Sequence, residues 1–205
     1  MRRAILLLAM LLAMILVIGS ALPAAAANTK VVKKTFSSTQ PITIPAGAPG
    51  ATSGAAAPYP SEKSAGGFNR GKILDVNLRL KNYTHTFPDD VDVMLSHRGV
   101  NRTVLSDVGG QLDVSNITLA LDDEAASPLP DSTQLTGGAF DPTNIGATDT
   151  FPAPAPTPSG LPALSGFDGR NPNGLWKLWV VDDAGGDVGQ FAGGWSITIK
   201  ARVRT

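Results

Sequence analysis

Asn171-Pro-Asn-Gly-Leu-Trp-Lys-Leu-Trp-Val-Val-Asp-Asp-Ala-Gly-Gly-Asp-Val-Gly-Gln-Phe-Ala-Gly-Gly-Trp195-Ser-Ile-Thr-Ile199 reads as turn, strand, acidic glycine loop, strand. Trp176, Leu178 and Val180 alternate with Lys177, Trp179 and Val181. Trp195, Ile197, Ile199, Ala201 and Val203 alternate with Ser196, Thr198, Lys200, Arg202 and Arg204. A period of two marks strands with one buried face. Between the two runs, Gly185, Gly186, Gly189, Gly193 and Gly194 share a sharply turning loop with Asp182, Asp183 and Asp187. The segment specifies the corner of a β-sandwich and not an active site.

The same period recurs upstream. Leu74, Val76, Leu78 and Leu80 share one face of a strand from Lys72 to Leu80, and Val91, Val93 and Leu95 share a face of the next. Gly99 supplies a turn before Arg102 to Ser106, and Ile117, Leu119 and Leu121 point inward from Asn116 to Leu121. Short alternating strands, with no helical pattern after the leader, argue an all-β fold, an antiparallel jelly-roll-like β-sandwich. From Asp122 to Asn171 the period is lost and prolines accumulate. So long a loop is unusual inside a compact domain. It is expected to wrap the sandwich, pinned by Leu135, Phe140, Phe151, Leu164 and Phe167.

At the other end, Met1-Arg2-Arg3 precedes an apolar run from Ala4 to Ile18, then Gly19, Pro23 and a string of alanines. This is the layout of a secretory signal peptide over residues 1–27. A retained membrane anchor is the alternative, since about 20 apolar residues span a bilayer. Residues 28–60 read as a loose N-terminal tail with an edge strand, Pro41 to Pro45, and residues 61–205 as the sandwich, which the strand from about residue 42 can join. Lys and Arg total 17, matched by 17 Asp and Glu, so the chain without its leader is slightly acidic and nothing points to nucleic acid. Once the leader is removed, no membrane segment is expected. Cysteine is absent, so an exported domain must hold together by its core, with metal as a candidate aid, rather than by disulfides.

The closing strands resemble those of the P domain, also called the Homo B domain. This β-sandwich follows the catalytic domain in subtilisin-like proprotein convertases. A second stretch, His85-Thr-Phe-Pro-Asp-Asp-Val-Asp92-Val-Met-Leu95-Ser96-His-Arg-Gly99, resembles that family's His before an acidic strand and a Ser/Gly turn. The likeness covers roughly Ile42 to Val203. It departs from the family where Ser96-His97-Arg98-Gly99 replaces the usual Ser-Pro-x-Gly, and in its longer proline-rich excursion, which suggests a bacterial relative. The resemblance implies a galactose-binding-like jelly roll, a structural role for His85, and a non-catalytic module that binds or stabilises a secreted subtilisin-like protease. Proteolysis would then belong to that partner. The other reading is a surface or matrix adhesion protein, with glycan binding centred on Trp179.

Calcium takes six to eight oxygen ligands in flexible loops. Asp89, Asp90, Asp92, Asp122, Asp123, Asp182, Asp183 and Asp187 are the candidate calcium ligands, divided among more than one site, with Asp107 nearby in sequence. No EF-hand pattern is present, and the same aspartates serve equally well as turn formers. The resemblance favours calcium. Catalysis is not expected: His85 and His97 are the only histidines, Ser96 and His97 point to opposite faces of one strand, and no Gly-x-Ser-x-Gly elbow occurs.

Overall fold

A computed structural model describes residues 28–146 and 149–205; the signal peptide expected over residues 1–27 lies outside them. The two strands that opened the sequence reading face each other across the core. β11, Gly174–Asp182, buries Trp176, Leu178 and Val180, while β13, Trp195–Arg204, buries Trp195, Ile197, Ile199, Ala201 and Val203. Fully burying one large apolar side chain is worth roughly 1.5–3 kcal/mol, so this interior dominates the stability. Both core indoles keep a partner for their N–H. Trp176 Nε1 donates to Pro172 O at 3.1 Å, and Trp195 Nε1 to Ser61 Oγ at 2.9 Å, which avoids the cost of an orphaned buried donor.

The architecture is a β-sandwich of two mixed sheets, with no α-helix among the described residues and none long and apolar enough to cross a membrane. The seven-stranded sheet is centred on β5, Lys72–His85. On one side β5 pairs with β13 along its first half and with β12, Gly189–Phe191, along its end. On the other side it pairs with β8, Val114–Leu121. β2, Ile42–Ile44, extends β12, and β9, Gly138–Phe140, runs parallel to β8. The six-stranded sheet places β6, Val91–His97, between β11 and β7, Val100–Ser106. β3, Gly54–Ala55, and β4, Ser61–Ala65, pair with successive parts of β11, and β10, Thr143–Asn144, runs along β7. β6 and β7 are joined through Arg98 (φ 48°) and Gly99 (φ 77°), the left-handed pair of a tight hairpin that matches the strand twist.

The N-terminal segment differs from its expectation. Thr29–Ser38 is not a loose tail but a ten-residue strand, β1, paired along its length with β13. Its inward positions are Val32, Lys34 and Phe36, so a lysine interrupts the apolar alternation. The Lys34 ammonium sits over the ring of Phe68, 5.1 Å from its centroid, and donates to Gly67 O at 2.8 Å, partners that let a charged residue occupy a half-buried position. Lysines along this outer strand also protect an exposed sheet edge.

The proline-rich excursion does wrap the sandwich. Leu135, Leu164 and Phe167 seal the main core, the last two from a 3-10 turn, Leu164–Phe167. Phe151 lies instead on the outer face of the six-stranded sheet, where it covers Met94, Trp179 and Val181 together with Tyr59 and Ala155. That sheet is therefore covered on both faces, and all seven residues of β6 are buried. This places Asp92 in the interior.

Candidate functional site: the acidic end of the sandwich

The strand ends decide where the carboxylates gather. Asp89 and Asp90 lie in the 3-10 turn Pro88–Asp90 that feeds β6, and Asp92 is the second residue of β6. Asp182 ends β11, directly across from Val91, and the Asp183 N–H donates to Asp90 O at 2.9 Å. Asp107 follows β7 with φ 49°. Asp149 arrives from the proline-rich strap. Asp187 is carried on the glycine loop, which closes down because Gly189 packs against Thr84 and His85 where a Cβ would collide with the backbone. Six of the expected residues, Asp89, Asp90, Asp92, Asp182, Asp183 and Asp187, thus share one end of the sandwich with Asp107 and Asp149.

Burial sets the electrostatics there. Asp92 is 1% exposed and Asp182 fully buried. Burial first, and then the neighbouring Asp149 charge, push the Asp92 carboxyl up to about 8. Asp182 rises to about 7 through burial and then Asp90, and Asp90 to about 6 through burial and then Asp183 and Asp187. Asp89, Asp107, Asp149 and Asp183 are also raised, chiefly by burial. Among the described residues no lysine or arginine forms an ion pair with any of them. Asp92 Oδ2, Asp149 Oδ2 and both oxygens of Asp182 are buried without a hydrogen-bond partner, an unusual state for native carboxylates.

His85 closes the floor of this end. Its Nδ1 lies 2.9 Å from Phe87 O and 3.2 Å from Phe87 N, and its Nε2 is 3.2 Å from Asp182 Oδ2. The last contact is near in distance but too poor in angle to satisfy either atom. Burial also lowers the proton affinity of His85, so it is a weak counter-charge for Asp182.

Asp122 and Asp123 do not join this end. Asp123 accepts from the N–H groups of Leu164 (2.8 Å) and Ser165 (2.7 Å) and so caps the second 3-10 turn. Asp122 forms a group with Asp75 and Glu124 whose ligand oxygens all lie within 4.8 Å of one another, a cluster that could hold a metal ion. The sequence reading missed Asp75 and Glu124, because only the pairing of β5 with β8 brings Asp75 to Asp122. Here, however, the Asp122 oxygens already accept from Asn77 Nδ2 at 2.6 Å and the Glu124 N–H at 3.0 Å, Glu124 is exposed, and Lys33 and Lys200 act on Asp75. The carboxylates at the buried end are more widely spaced, with no three within 4.8 Å. Proximity and desolvation thus fall at different places. Desolvation is the stronger indicator, because exposed carboxylates can be neutralised by water and counter-ions.

The remaining candidates are held by packing and hydrogen bonds within the sandwich. Trp179 is 3% exposed, its Nε1 donates to Ser96 Oγ at 2.8 Å, and Tyr59 packs edge-on at 5.0 Å. Little of its ring is therefore exposed for stacking on a sugar. A groove of about 290 Å³ runs beside it, walled by Arg98, Lys177, Pro154 and Pro156. The two nitrogens of His97 face the carbonyls of Leu175 and Asn171, each at 2.9 Å, and its ring stacks on Trp176 at 4.1 Å. Neither nitrogen is turned toward Ser96. Comparison with protein-family models, curated proteins and solved structures finds no match to this chain.

Proposed function

We propose that the chain is an exported, non-catalytic P-domain-like module with a jelly-roll course, stabilised by calcium at its acidic end, that binds and stabilises a partner such as a secreted subtilisin-like protease. The observation that carries the calcium part is the burial of Asp92 and Asp182 with unpartnered oxygens among like charges. The donors are carboxylate oxygens, from strand ends and a glycine loop, with the His85 Nε2 as the one nitrogen beside them, a predominantly oxygen set that suits a hard, variably coordinated cation. In this reading the carboxylates gathered at this end, Asp92 and Asp182 among them, take up the positive charge they lack from the ion. The paired ends of β6 and β11 hold those carboxylates in place. The resemblance over His85 to Gly99 and Asn171 to Ile199 supports the partner.

The partner part is tested by incubating a secreted subtilisin-like protease with the purified chain in calcium and following thermal inactivation. A longer half-life, with recovery of the complex in a pulldown, is expected. An unchanged half-life with no complex would sink the accessory role, and peptide hydrolysis by the purified chain alone would sink the non-catalytic one.

A further inference from the structure

Three carboxylates that come from separate parts of the chain lie around the Ser106 hydroxyl, which bonds only that of Asp107. They are Asp92 in β6, Asp107 after β7, and Asp149 at the start of the strap. Ser106 Oγ is 3.3 Å from Asp107 Oδ2. One hydroxyl has one proton to donate, so it serves a single carboxylate at a time. Asp92, at 1% exposure, retains an unpartnered Oδ2 beside the charges of Asp149, Asp183 and Asp107, and Asp149 Oδ2 is also unpartnered.

The strap is fastened unevenly. Its later half is bonded to β7 at several points: Asn101 Nδ2 donates to Thr157 O at 3.0 Å, the Ser159 N–H to Asn101 Oδ1 at 2.7 Å, and the Thr103 N–H to Leu161 O at 3.2 Å. Among the described residues, its first half is held to the sandwich by the burial of Phe151 and one hydrogen bond, from Tyr59 Oη to Pro152 O at 3.0 Å. Asp149 lies at the start of this less tethered half.

We infer that Asp92, Asp107 and Asp149 share one calcium ion that fastens the first half of the strap over the outer face of the six-stranded sheet and thereby sets the wall of the groove beside Trp179. The inference rests on the calcium reading above and deepens it by naming the ligands and what they control. Like charges hold the three carboxylates apart, and Ca–O bonds of about 2.3–2.6 Å draw them together. Pro154 and Pro156 wall the groove from the strap side, so a fastened strap keeps the groove formed and a free one opens it.

The test measures calcium binding by titration calorimetry and amide hydrogen exchange over residues 149–161, with calcium chloride or chelator, for the wild-type chain, Asp149→Asn and Glu124→Gln. The wild type and Glu124→Gln are expected to bind calcium and to slow strap exchange at least about tenfold. Asp149→Asn is expected to bind at least about tenfold more weakly and to lose the slowing, with its exchange in chelator unchanged elsewhere. If calcium binds and Asp149→Asn behaves as wild type, the inference fails while the calcium reading stands. Loss of binding in Glu124→Gln alone would also overturn it, by moving the ion to the other carboxylate group. If the wild type takes up no calcium, both fail.

Discussion

The Asp75, Asp122 and Glu124 group and the Asp92, Asp107 and Asp149 group are both clusters of carboxylates, and they differ in what surrounds them. The first is close-set, partly exposed, hydrogen-bonded within itself and near two lysines. The second is more widely spaced, sunk at one end of the sandwich, and has buried oxygens with nothing to bond. A short distance between acids on a surface costs little, since water screens it. A desolvated carboxylate costs far more and is kept only with a proton or a cation to neutralise it. Burial therefore marks the site better than spacing does.

The largest effect that would break this contrast comes from the strap. Phe151→Ala removes the ring that covers Met94, Trp179 and Val181 and should cost about 3 kcal/mol by denaturant unfolding. It should also weaken calcium binding, because Asp149 loses its placement two residues away. Full calcium affinity in this variant would separate the strap from the ion. Next in size, Asp92→Asn should raise stability in chelator at pH 8 by about 1–3 kcal/mol, the scale of an unsatisfied buried group, and abolish the calcium response. A loss of stability in chelator would mean that Asp92 is held by something other than a cation.

The pH dependence sharpens the contrast further. Asp92 at about 8 and Asp182 at about 7 lie above their unfolded value of 3.8. A carboxyl raised in the folded state binds protons that the unfolded chain has lost, so its contribution is complete below the unfolded value and is lost as pH rises through the folded one. In chelator, stability should therefore fall from pH 6.5 to about 8. His85, lowered from 6.5, acts in the opposite sense, its contribution being lost as pH falls below that. Calcium binding displaces those protons, so its affinity should increase over the same interval, and melting curves at each pH in calcium and in chelator measure both trends. A flat profile in chelator would mean that the buried aspartates ionise without penalty. Smallest of all, Glu124→Gln should alter stability by less than about 0.5 kcal/mol in either buffer.

The strands that bury one face were legible in the sequence, because alternation such as Leu74, Val76, Leu78, Leu80 needs no tertiary knowledge to read. β1 was not, since Lys34 takes an inward position and bonds to Gly67. The full burial of β6 was also hidden, because it depends on Phe151 folding back from far along the chain. The same holds for the acidic end. The Asp89 to Asp92 run and the Asp182 to Asp187 loop announced themselves as local clusters. Their meeting was set by the pairing of β6 with β11, and Asp149 stood alone among prolines with no local signal. Asp122 and Asp123 looked alike on paper and separated in space, one into the surface group and the other onto the 3-10 turn.

The most direct measurement is thermal unfolding of the purified chain at pH 8 in millimolar calcium and in chelator. A cation bound only by the folded state raises the melting temperature by mass action. The expected result is a rise of about 5 °C or more with calcium, absent in Asp92→Asn and intact in Glu124→Gln. Superimposable melts of the wild type in the two buffers would contradict the account and leave the buried aspartates as unassisted turn residues.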